Sequence, residues 1–192
     1  TDSATHARAV RALGRLERRE LIPELLPYLR TGSPTETANA IAQSFQGAAL
    51  PGDSGEQIDE AFEALTAVGA MPSDPRRGSG PIGAVAVAVG RLPYVRVEQV
   101  RAAESYLHRT MRTVEVDDAL RPALLEVIRG TELLGRLSGR LKPLDAETID
   151  ELRTIVISRR RDHAPLERVR AMEALLSGRG VDSETLRVAA TA

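Results

Sequence analysis

Two glycine-rich stretches, three histidines and a few clusters of charge are the residues here whose types and spacing could do chemistry. Gly78-Ser79-Gly80-Pro81-Ile82-Gly83 fits G-x-G-x-x-G letter for letter, the spacing that brings backbone amides onto a pyrophosphate at a helix N-terminus. That chemistry needs a central strand running into the glycines. Ser73-Asp74-Pro75-Arg76-Arg77 cannot supply one, because proline removes a ladder donor. The stretch therefore reads as a loop that enters a helix at Pro81. Gly52-Asp53-Ser54-Gly55 has the form of the nucleophile loop of trypsin-like proteases. A serine nucleophile also needs a histidine base and a buried aspartate that orients it, and no β pattern surrounds the histidines here. Asp53 or Ser54 is expected to cap the following helix instead.

His6, His108 and His163 show no i, i+4 pairing and no H-E-x-x-H, and the chain has no cysteine to complete a metal set. Each is expected at the surface or at a helix cap. Asp59-Glu60 with Glu63, and Asp117-Asp118, fall near expected helix starts, where carboxylates favour the helix dipole. No catalytic, cofactor-binding or metal-ligating residue is assigned, and no cofactor is expected. The basic spots are Arg76-Arg77, Arg109 with Arg112, and Arg159-Arg160-Arg161, the last placed in the final turn of a helix. With a net charge of −1 and both signs interspersed, nucleic-acid binding is disfavoured, since that function calls for a basic patch or stripe.

The elements that must position any site are set by a recurrence. Arg8-Ala9-Val10-Arg11-Ala12-Leu13-Gly14-Arg15-Leu16 returns in part as Ala84–Leu92 and as Gly130–Leu137, with weaker echoes at Thr37–Gln43 and Arg168–Leu176. Aligned on Leu13, Ile41, Val89, Leu134 and Leu175, the copies are 28, 48, 45 and 41 residues apart. Recurrence on this scale marks stacked units, none of which buries its apolar face alone. The first helices are expected at Thr5–Leu16, Thr35–Phe45, Pro81 onward, Asp118–Leu141 and Pro165–Ser177. The second helices follow at Leu21–Leu29 (loosened at Pro27), Glu56–Val68, Val97–Val114, Ala146–Arg160 and Ser183–Ala190. Ala84–Val89 alternates alanine and valine like a short strand, but it offers no polar face and shares the register of the first repeat, so it reads as a buried helix. Ser33 and Asp145 stand as N-caps. On the stripe Val97, Val100, Glu104, Leu107, Met111 and Val114, only Glu104 is polar. Loop insertions are expected near 46–55 and 70–81.

Hydrophobic residues are 42% and charged residues 28% of 192, the composition of a soluble globular domain, and one domain over 1–192 suffices. Aromatics are only 3%, so the core must be built from Leu, Ile, Val and Ala, which let helices approach closely. No apolar run reaches the roughly 18 to 20 residues of a membrane span. The missing cysteines fit cytosol, periplasm or export equally, so no compartment is assigned. The chain begins inside a repeat, and is expected to be a segment of a longer protein.

Helix pairs of this length, with an Arg-Ala-x-x-Ala-Leu-Gly-Arg-Leu-like first helix and an apolar second one, resemble bacterial HEAT repeats. The likeness is carried by Arg8–Leu16, Leu21–Leu29, Ala84–Leu92 and Leu133–Leu137. It implies an all-α fold: a right-handed α-solenoid of four to five antiparallel helix pairs. It also implies a non-catalytic scaffold for a protein partner, with second helices lining a concave face and presenting Glu24, Glu60, Arg101 and Arg109. The alternative is an accessory region of a larger bacterial enzyme, such as a cyclophilin-type peptidyl-prolyl isomerase or a phycobilin-type lyase. Nucleic-acid binding, as in HEAT-like alkylpurine glycosylases, ranks third. The register makes Leu134 a core position, so Leu134→Asp buries an unpartnered carboxylate. This variant is expected to lose cooperative thermal unfolding followed by circular dichroism, and an unchanged melting temperature would refute the register.

Overall fold

The computed structural model describes residues 3–31, 33–45, 55–69, 80–158, 163–178 and 187. Among them every regular element is helical: α1 (Ser3–Gly14), α2 (Ile22–Leu25), α3 (Tyr28–Thr31), α4 (Pro34–Ser44), α5 (Gly55–Gly69), α6 (Ile82–Arg91), α7 (Val97–Val116), α8 (Leu124–Ser138), α9 (Ala146–Ile157) and α10 (Pro165–Ser177), with single 3-10 turns at Arg19–Leu21 and Arg121–Ala123. The expected loops at 46–55 and 70–81 lie almost wholly outside the described residues. So do the caps Asp53 and Ser54, the arginines at 76–77 and 159–161, and the helix expected at 183–190.

Local chemistry explains the boundaries. Pro23 sits in the first turn of α2, and the break before α3 falls at Pro27, whose ring cannot continue a helix. Pro34 opens α4 behind Ser33, but the Ser33 hydroxyl makes no capping bond. Thr37 Oγ1 instead donates to the Ser33 carbonyl at 2.9 Å. Asp145 likewise holds the N-cap position of α9 without a side-chain cap. The alternating Ala84–Val89 stretch is helical, and all of it except Ala84 is buried. A helix whose whole circumference is apolar must be covered on every side.

Four of the five residues on which the repeats align, Ile41, Val89, Leu134 and Leu175, are fully buried, and Leu13 packs half-buried against the same core. The helices that carry them contact one another in series: α1 with α4, α4 with α6, α6 with α8, and α8 with α10. Of the intervening helices, α5 touches both α4 and α6 and α7 touches both α6 and α8, while α3 touches α4 and α9 touches α10. Small residues set the spacing. A side chain added at Gly14 would lie 2.7 Å from the Ala40 Cα, and one at Gly135 would lie 3.2 Å from the Gly178 Cα. At Gly90 it would drive into the Gly130 carbonyl, and at Gly130 into the Ala86 carbonyl.

The 3.6-residue spacing sets Leu21, Leu25, Leu26 and Leu29 on one side of a helix and Leu166, Val169, Met172 and Leu176 on one side of another, and both facings fail in part. On α2, Ile22 rather than Leu21 is buried beside Leu25. On α10, Leu166, Val169 and Leu176 remain 53%, 55% and 58% exposed, while Ala171, Ala174 and Leu175 are buried. The 3.6-residue period identifies sets of residues that share a face. Close packing then chose the face with the small residues, which lets α10 reach α8 at Gly135 and Gly178.

Glu104, the one polar residue of its stripe, is indeed buried, and it has a partner. Lys142 Nζ lies 2.6 Å from its Oε2, 3.0 Å from Asp145 Oδ1 and 3.0 Å from the Pro143 carbonyl. The Asp145 amide donates to Glu104 Oε1 at 2.6 Å. The α8–α9 connection is thereby tied to α7. Burial alone would lower the Lys142 pKa, but the hydrogen bonds it donates to Glu104 and Asp145 more than offset it and hold the ammonium above its ordinary 10.5. The stabilisation is fully present below that value and fades as pH climbs through the raised folded one. Lys142→Met strands a buried carboxylate and should cost about 3–5 kcal/mol in urea unfolding at neutral pH. Adding Glu104→Leu should restore part of that loss, and a harmless single variant would contradict the pairing.

Candidate functional site

A cleft of about 310 Å³ opens along the face of α1, α4, α6 and α8, lined by Arg11, Arg15, Glu36, Asn39, Gln43, Val87, Arg91 and Arg129 among others. The repeat register builds it. Two residues before each alignment position stand Arg11, Asn39 and Val87, and two residues after it stand Arg15, Gln43 and Arg91. Equal register positions on stacked helices fall side by side, so three successive helices contribute two rows of side chains to one hollow. Arg129 of α8 closes the far end.

The charges are unequal: four arginines face one glutamate in this lining. Arg11 is held by its own helix, its Nε donating to the Ala7 carbonyl at 3.2 Å. Arg129 reaches Glu126 only at 3.9 Å, and the adjacent Arg136 reaches Glu132 at 3.9 Å. Among the described residues Arg15 and Arg91 have no ion-pair partner. Arg91 is half-buried, and its pKa is lowered first by desolvation and then by Arg129 and Arg136, with Glu132 opposing. A guanidinium does not lose its proton at any ordinary pH. Arg91 is thus a partly desolvated cation with two like charges near it.

Sequence reasoning missed this cleft by weighing runs of arginine rather than register. The signal was available in Gly14-Arg15-Leu16, Gly90-Arg91-Leu92 and Gly135-Arg136-Leu137, where the arginine follows the glycine each time. The residues expected to face a partner, Glu24, Glu60, Arg101 and Arg109, are exposed on α2, α5 and α7, and none of them lines this cleft.

The histidines divide. His6 packs edge-on against Tyr28 with ring centroids 5.0 Å apart, joining α1 to α3. His108 Nε2 lies 3.8 Å from Glu151 Oε2, joining α7 to α9. His163 is neither a surface nor a cap residue. It is buried, with Nδ1 2.8 Å from Ser158 Oγ and Nε2 2.9 Å from Glu115 Oε1. Serine, imidazole and carboxylate thus form a chain, but not the arrangement of a nucleophile. Ser158 Oγ also donates to the Ile155 carbonyl at 2.8 Å, and serine meets Nδ1 rather than the Nε2 that serves as base in the Ser-His-Asp triad. The chain ties the end of α7 to the α9–α10 connection. Beside it, Arg121 Nη2 bonds Glu167 Oε2 at 3.1 Å, and that oxygen accepts from the Ala164 amide at 3.0 Å to cap α10.

A second hollow, of about 390 Å³, is lined by Phe62, Tyr94, Arg96 and Gln99 among others. Several of its polar groups are already engaged, although Glu63 and Glu98 also line it. Gln99 accepts from the Val95 and Arg96 amides and donates to Asp59 and the Gly55 carbonyl, while Arg96 pairs with Asp59. Among the described residues no three His, Asp or Glu converge as metal ligands, and no helix is long and apolar enough to cross a membrane. No protein-family model, curated protein or solved structure matches the chain.

Glu151 shows how charge is frustrated beside the His163 chain. Its pKa is raised, first by desolvation and then by Glu115, with His108 and Arg112 opposing. A carboxyl whose folded pKa exceeds its unfolded value costs stability above that window and ceases to do so once both states are protonated. Glu151→Gln should therefore raise the melting temperature at pH 7, and the gain should shrink as pH falls toward 4.5. Melting curves at several pH values test this, and a loss of stability at pH 7 would contradict it.

Proposed function

We propose that this chain is a HEAT-like helical-repeat domain, an α-solenoid of stacked antiparallel helix pairs, and that it serves as a non-catalytic scaffold for a protein partner. One observation carries the reading. The five sequence echoes fall on α1, α4, α6, α8 and α10, which pack in series with an intervening helix beside each step. Stacking of equivalent units generates long surfaces that repeat the same register positions, and such arrays use those surfaces to bind. The arginine-lined cleft on the repeat-bearing helices supports the reading, because it is built by register from three units rather than by a loop.

Two measurements test the proposal. Stability in a stacked array is approximately a sum of unit and interface terms. Removal of residues 163–192 should leave a folded remainder with a lowered melting temperature, whereas wholesale unfolding would point to a closed globule. Immobilised wild-type chain should also retain a stoichiometric protein that the unfolded Leu134→Asp chain does not. Recovery of no such protein would overturn the scaffold reading.

A further inference from the structure

We propose that the cleft between Arg15, Arg91 and Arg129 is a carboxylate-binding site that seats the acidic side chains of an extended segment of a partner protein. The inference rests on the scaffold reading and names the chemistry its partner must present. Arg15 and Arg91 come from different units, line the same hollow, and have no ion-pair partner among the described residues. A guanidinium offers a planar fork of donors that matches a carboxylate in bidentate fashion. Between the two arginines stand Asn39 and Gln43 of α4, whose amides can donate to the same anion and accept from a peptide backbone. The hollow, about 310 Å³, lies at the lower end of the range for small-molecule sites. It has room for a few side chains.

Peptide is favoured over nucleic acid by where the positive charge ends. A polyphosphate chain needs a run of cations along its length. Here Glu36 lies in the cleft itself, and Glu126 and Glu132 stand beside the arginines of α8, so the positive region is one bounded spot. Two or three carboxylates spaced along a peptide satisfy it, and a longer polyanion would meet these glutamates.

Fluorescence anisotropy with the full chain tests the site. The probes are a fluorescein-labelled peptide of alternating glutamate and glycine, its glutamine counterpart, and a labelled single-stranded oligothymidylate. The glutamate peptide should bind, and the glutamine peptide should bind at least about ten-fold more weakly, as expected when charge-assisted bonds are lost. Arg15→Gln with Arg91→Gln should weaken the glutamate peptide by at least about ten-fold at unchanged helical content. Glu36→Gln should tighten it, a gain that misfolding cannot mimic. Equal affinity for both peptides, indifference to both substitutions, or preference for the oligothymidylate would each overturn the assignment. Failure of the wild-type chain to bind the glutamate peptide, while the stoichiometric protein is still retained, would sink the cleft and spare the scaffold.

Discussion

Where α6 crosses α8, Gly90 meets Gly130 and Gly130 meets Ala86, backbone against backbone, with no space for a Cβ on either glycine. This is the most extensive helix–helix contact among those described. With only Phe45, Tyr94 and Tyr106 as buried large aromatics among the described residues, a core mostly of Leu, Ile, Val and Ala reaches full packing density only if the helices come this close. The same device recurs at Gly14 against Ala40 and at Gly135 against Gly178. Spacing at three of the four steps, α1–α4, α6–α8 and α8–α10, therefore depends on small residues, and in α1, α6 and α8 a glycine directly follows the residue on which the repeats align. The valines and leucines of α6 and α8 are buried as a consequence of that approach.

The cleft follows from the same constraint. Arginine comes directly after the crossing glycine in α1, α6 and α8. A long side chain leaving a helix next to a tight crossing has its stem covered by the neighbouring helix while its head stays in water. Arg91 is half-buried for this reason, and its neighbours on α8 sharpen the potential around it. Packing chemistry and surface chemistry are thus written in adjacent residues of one motif.

Polar groups tie the intervening helices and connections where apolar contact is thinner. Glu104 with Lys142 fastens the α8–α9 connection to α7, Gln99 fastens the start of α7 to the start of α5, and His163 fastens the α9–α10 connection to the end of α7. Each is largely desolvated and each has its partners, as burial of polar groups demands. They join points 38 to 48 residues apart in the chain. They are long-range constraints on how one unit is set against the next.

Much of this was legible in the residues themselves. Apolar periodicity located all the long helices, including α6, whose alternating alanine and valine mimic a strand. Proline and glycine placed the breaks, and the recurrence aligned on buried positions. Glu104 stood out as the lone charge on an apolar stripe, although nothing in the local sequence named Lys142 as its partner. What the order of residues could not decide was which of two plausible faces of α10 turns inward, that His163 is buried against Glu115, or that Arg15 and Arg91 share a cleft. Periodicity specifies which side chains share a face of one helix, because that depends only on the backbone repeat. Which face is covered, and which side chains from distant units converge, depends on interhelical distance and angle, and those are settled only when all the helices pack at once.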